Sequence, residues 1–301
     1  MRLGIMAAVD NGGTLEQLID QARVSHEAGV DTFWAAQTFG LDTLTALAVV
    51  GREVPGIELG TSVVPTYPRH PMMLAQQALT VQVAIGNRLC LGIGLSHRPV
   101  VEGMWGLSFD KPVRHLREYL SGMMPLLEGA NVRFKGDVFT VRGAISAPGA
   151  QRPTVIVAAL GEQMLRVAGA LADGTTTWCV GPETLRNFTI PTIRQAAADA
   201  GRPEPRIVAS LPITVTDDVD DARRRTGEEL AMYNSLPSYR TMMDKEGVVG
   251  PADLAIVGSE AEVRDRLLEL KAAGVSDFNA VIISVDIEER LRTLSVMRDA
   301  R

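Results

Sequence analysis

Several short stretches of this chain gather side chains that can hydrogen-bond, move a proton or hold an anion, and each follows a strand-like run. Gly92-Ile93-Gly94-Leu95-Ser96-His97-Arg98-Pro99 sets a hydroxyl, an imidazole and a guanidinium in successive positions. Ser96 can hydrogen-bond, His97 can exchange a proton near neutral pH and Arg98 can meet an anion. On its own, His97 is equally well explained as a surface or structural histidine. Thr61-Ser62-Val63-Val64-Pro65-Thr66-Tyr67-Pro68-Arg69-His70-Pro71 carries proline at every third position from Pro65 onwards. That spacing stiffens an extended connection and suits Pro71 to the first turn of a helix. A rigid rim for a flat ligand and a plain stiff helix entry both fit it. Ala35-Ala36-Gln37-Thr38-Phe39-Gly40 offers an amide and a hydroxyl but no acid or base. Thr176-Thr177-Trp178-Cys179 adds small polar groups and an aromatic side chain, either a wall or ordinary core.

A further stretch is suited to an anion. In Pro153–Trp178, Thr154–Ala159 is apolar and β-branched, Gly161 breaks it, and Leu165, Val167, Ala168 and Leu171 then recur at helical spacing. A strand that runs into a helix through a small residue leaves N–H groups unpaired at the positive end of the helix dipole. Those groups can hold a phosphate without a lysine. The plain alternative is that Leu160-Gly161 is only the turn between a strand and a helix.

Other chemistries lack their residues. The four histidines, His26, His70, His97 and His115, form no HxH or HExxH pair, and Cys90 and Cys179 have no ligand spacing, so no metal site is expected. There is no GxSxG elbow, no GK[ST] loop and no GxGxxG fingerprint. The chemistry is therefore assigned to an organic cofactor. A net charge of −6 with no basic block argues against nucleic-acid and membrane-surface partners. The N-terminal apolar run is cut by Asp10 and reads as a first strand, not a signal peptide. Two distant cysteines give no disulfide framework, which fits a reducing cytoplasm.

The elements that must position these residues alternate. Apolar runs at 3–8, 32–36, 57–64, 88–94, 154–159, 175–177, 207–214 and 278–284 are expected strands. Helices are expected at 14–28 with a Thr14/Gln17 capping box, at 42–52, 71–84, 112–127, 162–172, 183–200, 218–232, 260–273 and 287–298. Residues 132–141 read as a hairpin around Gly136-Asp137. Eight alternations with no composition shift predict one domain over residues 1–301: a closed (β/α)8 TIM barrel with insertions after strands 4 and 7. An open doubly wound sheet is the other arrangement. In a barrel, function sits in the loops after the strands, where the stretches above fall.

Segments spread over nearly the whole chain resemble the luciferase-like monooxygenase superfamily, and within it the coenzyme F420-dependent (deazaflavin) oxidoreductases. They are Leu59-Gly60-Thr61-Ser62-Val63 with Pro71 and Ala75-Gln76; Gly86-Asn87-Arg88 with Leu91-Gly92-Ile93-Gly94; Ala158-Ala159-Leu160-Gly161 with Ala172-Asp173-Gly174; and Ile256-Val257-Gly258-Ser259 with Ala273-Gly274-Val275. The resemblance implies a homodimer acting on a small-molecule substrate by hydride transfer with coenzyme F420. FMN with oxygen, or a flavin-binding barrel without turnover, are the alternatives. It implies a non-prolyl cis peptide at Ser62-Val63 behind the ring, with Gln37, Thr61 and Ser96 around it. The phosphate is expected at Leu160, Gly161, Glu162 and Gln163, and charge alone assigns Arg69 and Arg98 to the acidic tail. Two departures stand out. Where several relatives carry an acid–histidine pair after the second strand, this chain has Ala36-Gln37. Where the glucose-6-phosphate dehydrogenase subgroup has an acid after strand 4, it has His97, which becomes the expected proton donor.

Overall fold

Runs of β-branched and apolar residues become eight parallel strands in this computed structural model, which describes residues 1–8 and 13–300. They are β1 Arg2–Met6, β2 Thr32–Ala35, β3 Glu58–Thr61, β4 Leu89–Gly94, β5 Thr154–Ala158, β6 Gly174–Trp178, β7 Arg206–Val215 and β8 Asp277–Ile282. Each pairs with the next, and β8 returns to β1 through Arg2↔Asp277 to Ile5↔Ala280, so the sheet closes. The architecture is the expected (β/α)8 barrel, interrupted after β4 and β7. The expected loop at Asp10-Asn11-Gly12 lies outside the described residues.

The helices begin where side chains can satisfy their first N–H groups. α1 (Leu15–Glu27) opens on the Thr14/Gln17 capping box, and α2 (Thr43–Glu53) is capped by Asp42. α3 (Pro71–Ala84) is capped by the His70 ring and α4 (Pro112–Leu127) opens with proline. α5 (Glu162–Leu171) follows Gly161 and α6 spans Ile190–Asp199. After β7 come α7 (Val219–Glu229), α8 (Pro237–Glu246) and α9 (Glu260–Ala273), and α10 (Ile287–Asp299) ends the chain.

Three features depart from expectation. The third strand, expected to run to Val64, stops at Thr61, and a separate short strand, Val64–Pro65, pairs with Ile93 and Gly94. α8 and a three-residue strand, Ile256–Gly258, which pairs the upper end of β7, fill the second interruption. The helix expected over 183–200 contains a π turn at Leu185–Thr189. Pro191 has no N–H for the Asn187 carbonyl, so the ladder widens there.

Two cores result from alternation along the strands. One face of each strand packs against the helices, while Trp34, Cys90, Ile156 and Val208 form a separate cluster inside the barrel. Trp34 is fully buried because two neighbouring strands lack side chains beside it. A Cβ on Gly4 would lie 2.4 Å from its ring, and one on Gly60 would lie 2.2 Å from it. Beneath the indole, Arg206 lies 5.8 Å from the ring centroid, bonds Asp277 at 2.6 Å and bonds Glu58 at 2.7 Å. The N-terminal end of the barrel is thus closed by an ion cluster, and ligand access is left to the other end.

Candidate active site

At the C-terminal mouth, the end of β3 is rebuilt around one hydroxyl. The ladder between β3 and β4 stops at Gly60↔Cys90, and beyond it the Thr61 Oγ1 donates to the Gly92 carbonyl at 2.7 Å and accepts from the Gly92 N–H at 2.8 Å. The backbone then bulges through a cis peptide between Ser62 and Val63. Gly92 and Gly94 make the room. A Cβ on Gly92 would sit 1.9 Å from the Thr61 carbonyl oxygen, and one on Gly94 would sit 2.6 Å from Val63. Across the bulge, Gln37 N–H donates to the Val63 carbonyl at 3.3 Å and Ser62 N–H to Ala35 at 2.9 Å. Ser62 and Val63 remain half-buried, forming a shelf at the mouth, whereas the Thr61 side chain is fully buried and holds that shelf from behind.

The loop that follows is braced by rings. Tyr67 stacks on His115 at 3.9 Å and on Phe109 at 5.2 Å, and Phe139 meets His115 edge-on at 5.0 Å. His115 Nε2 lies 3.0 Å from the Thr66 hydroxyl. Burial pushes the His115 pKa down to about 4, so the ring is neutral and can hydrogen-bond without a counter-charge. The Gln37 side chain accepts from the Thr43 N–H at 2.8 Å at the start of α2. Arg69 bonds Asp42 at 2.7 Å, and Arg98 bonds Glu102 at 2.5 Å while lying over Phe109. Both arginines expected at an anionic tail therefore already hold carboxylates. Arg98, with its side chain 56% exposed, is the freer to exchange its partner.

His97 and Ser96 leave β4 through a left-handed residue, Ser96 with φ 61°. No hydrogen bond to the His97 ring is found among the described residues. Its neighbours are Tyr239 at 5.9 Å and Tyr233 at 6.4 Å, both from the insertion after β7, and Tyr233 in turn meets Trp178 at 6.1 Å. Burial lowers the His97 pKa and raises that of Tyr239. His97 is therefore a neutral imidazole, able to accept a proton. Sequence reasoning missed both tyrosines. Their one signal was that two of the four tyrosines in the chain fall six residues apart, where the alternation of strand and helix breaks down.

On β5, Leu160 leads to Gly161, which caps α5 without a side-chain bond, and Gly161, Glu162 and Gln163 are all exposed. A Cβ on Gly161 would meet nothing within 4 Å. Glu162 turns aside to Arg166 at 2.7 Å. The start of α5 is thus open, with uncapped N–H groups, as an anion seat requires. Among the described residues no three His, Cys, Asp or Glu side chains gather as a metal site would need, and no helix is long and apolar enough to cross a membrane.

A bulged shelf after β3 and an open helix start after β5 accord with a known family, whose profile, described as luciferase-like monooxygenase, matches residues 1–277. The chain belongs to that family. It is accordingly an oxidoreductase. An F420-dependent glucose-6-phosphate dehydrogenase of Nocardia farcinica is 28% identical over 275 residues, covering 84% of this chain and 79% of the relative. In fold, the coenzyme F420 dependent tetrahydromethanopterin reductase of Methanopyrus kandleri matches with a TM-score of 0.78 at 20% identity, over 100% of this chain and 99% of that one. The oxygenating constituent of the 3,6-diketocamphane monooxygenase of Pseudomonas putida, solved with FMN, matches with a TM-score of 0.79 at 16% identity, over 99% and 96%.

Proposed function

We propose that this chain, acting as one unit over residues 1–301, is a coenzyme F420-dependent oxidoreductase that moves a hydride between the deazaflavin ring and a small organic substrate. The observation that carries the reading is a seat with two ends, on the strands either side of β4. At one end lies the Ser62–Val63 shelf, for which Gly92 and Gly94 clear the space; at the other lies the open, uncapped start of α5 at Gly161. The shelf takes one face of a flat ring, and the N–H groups of Glu162 and Gln163, with Leu160 and Gly161 leading into them, hold its phosphate. Gln37, Thr61 and Ser96 keep the shelf and its rim in place, and Arg98 is available to the tail. When bound, the deazaflavin supplies hydride acceptance or donation at its central ring. His97, uncharged and facing the mouth aromatics, takes the hydroxyl proton as an alcohol carbon loses its hydride, or returns it in the reverse direction. The sequence relatives named for F420 favour that cofactor over FMN.

Calorimetric titration of the purified protein with oxidised deazaflavin coenzyme and with FMN tests the assignment. The deazaflavin is expected to bind and to raise Tm, by the equivalent of ~2.7 kcal/mol at a hundredfold excess over Kd. Binding of neither would sink the reading. A second reading, a monooxygenase using reduced FMN and oxygen, draws on the FMN-bound fold neighbour. FMN-selective binding with oxygen uptake in the presence of a flavin reductase would establish it instead. Two free, buried thiols accord with a reducing, cytoplasmic setting.

A further inference from the structure

The insertion after β7 brings Tyr233 and Tyr239 onto His97, and Tyr233 onto Trp178, making a four-ring cluster from the loop after β4, the end of β6 and the insertion after β7. Tyr233 and Tyr239 lie edge to face at 4.8 Å. Within this cluster the Trp178 Nε1 is fully buried and has no hydrogen-bond partner among the described residues. A buried donor left unpaired is uncommon in a folded chain, and here its ring shares a neighbour, Tyr233, with His97, whose ring has no hydrogen bond among the described residues. Several cations on the segments that carry the rings already have partners. Arg98 holds Glu102, Arg186 holds Glu183, Arg240 holds Asp244, and the Lys245 ammonium sits over the Phe188 ring. Exposed apolar side chains, Met104 and Leu107 after β4 and Met232 after β7, lie on the same loops.

We infer that the four-ring cluster is the substrate seat, and that it admits an uncharged, largely apolar molecule with one hydroxyl or carbonyl oxygen, received by the Trp178 indole N–H. This rests on the oxidoreductase reading above and names its substrate class. The rings supply flat apolar walls. The indole hydrogen is a buried donor without a partner among the described residues, and the neutral His97, which meets the same Tyr233 ring, exchanges a proton with the bound oxygen. None of the four rings carries a cation to meet the charge of a phosphorylated or carboxylated substrate. The ring contacts of Tyr233 and Tyr239 within the cluster are edge-on or tilted, so their faces are not stacked and can receive a flat ligand. The segment is anchored beyond them, where the Glu246 carboxylate accepts from the Thr184 N–H at 2.7 Å.

Isothermal titration of the full chain with acetophenone, cyclohexanone and glucose 6-phosphate tests the inference, first without cofactor and then with bound deazaflavin. The two ketones are expected to bind and glucose 6-phosphate is not. Trp178→Phe, which keeps a flat ring and loses the N–H, is expected to weaken ketone binding at least tenfold while leaving deazaflavin binding unchanged. Tyr239→Phe serves as a control that preserves the ring and should bind the ketones normally. Selective binding of the sugar phosphate, no ketone binding in either state, or an unchanged Trp178→Phe variant would overturn the proposal. Failure of deazaflavin to bind, with the ketones still held through Trp178, would overturn the cofactor assignment and leave the seat standing.

Discussion

Residues that look alike in sequence divide here by what their side chains already hold. Arg88 and Asp173 belong to segments shared with the family, yet both serve the frame: Arg88 gathers the carbonyls of Gly51 and Ile85, and Asp173 binds Arg152, Arg202 and the Val155 N–H. Among the described residues the His97 ring makes no hydrogen bond, and no side chain caps the helix that Gly161 opens. For His97 the sign of the pH effect follows from burial, which lowers its pKa from the ordinary value. As the proton acceptor in alcohol oxidation it must be neutral, and a lowered pKa keeps it neutral to lower pH. The acid limb of kcat/KM for an alcohol should therefore fall below the ordinary histidine range of ~6.5. In His97→Ala that limb should vanish and turnover should drop by ~10²–10⁴, while calorimetric affinity for the deazaflavin stays. At Gly161 two effects oppose each other. Gly161→Asp introduces a cap that bonds the same N–H groups a phosphate would use. The unliganded protein is expected to gain a few tenths of a kcal/mol, ~0.3, while cofactor affinity falls sharply; a parallel rise in both would refute the anion seat.

The element most exposed to acid is the proline loop after β3, through the ring that braces it. His115 is folded with a pKa of about 4, against an unperturbed value near ~6.5. The folded state therefore binds fewer protons than the unfolded one, and stability rises with pH across this window. The contribution is complete above ~6.5 and is lost as pH falls towards 4, by at most about 3 kcal/mol. Glu118, the charged group acting on it, raises its pKa slightly, and Tyr67 and Tyr119 face it as neutral phenols. Thermal melts from pH 7 to 4 should show this loss in the native chain and a flatter profile in His115→Gln. Much of the element plan was legible beforehand because it rests on local chemistry. The Thr14/Gln17 box, the Asp42 cap and Pro71 mark helix starts by side chains next to the backbone they serve. α8 was not legible, since it buries only Met242 and Met243 and so shows no helical apolar stripe. The bulge after β3 was expected only through resemblance. Nothing in Ser62-Val63 itself announces it, because what accommodates it is the lack of side chains at Gly92 and Gly94, some thirty positions on. The surroundings of His97 were hidden for the same reason, with its aromatic neighbours arriving from the far end of the chain.

At the scale of the whole molecule, barrel closure separates a charged end from a working end, and the outer helices are left to meet other molecules. Adjacent helices α2 and α3 expose Val49, Met73 and Val83. The family resemblance implies a homodimer, and we propose that this face joins its two copies. Light scattering is expected to report a dimer, and Met73→Glu with Val83→Glu a monomer; a native monomer would refute it. The interior plug has a different consequence. The three tryptophans stand in three settings: Trp34 sealed within the barrel between Gly4 and Gly60, Trp178 half-buried at the mouth, and Trp105 half-buried on the loop after β4. Intrinsic emission therefore carries a built-in reference. The Trp34 component should stay blue and deaf to acrylamide until the barrel itself opens, so any quenching by a bound chromophore that spares it can be read as an event at the rim and not as unfolding.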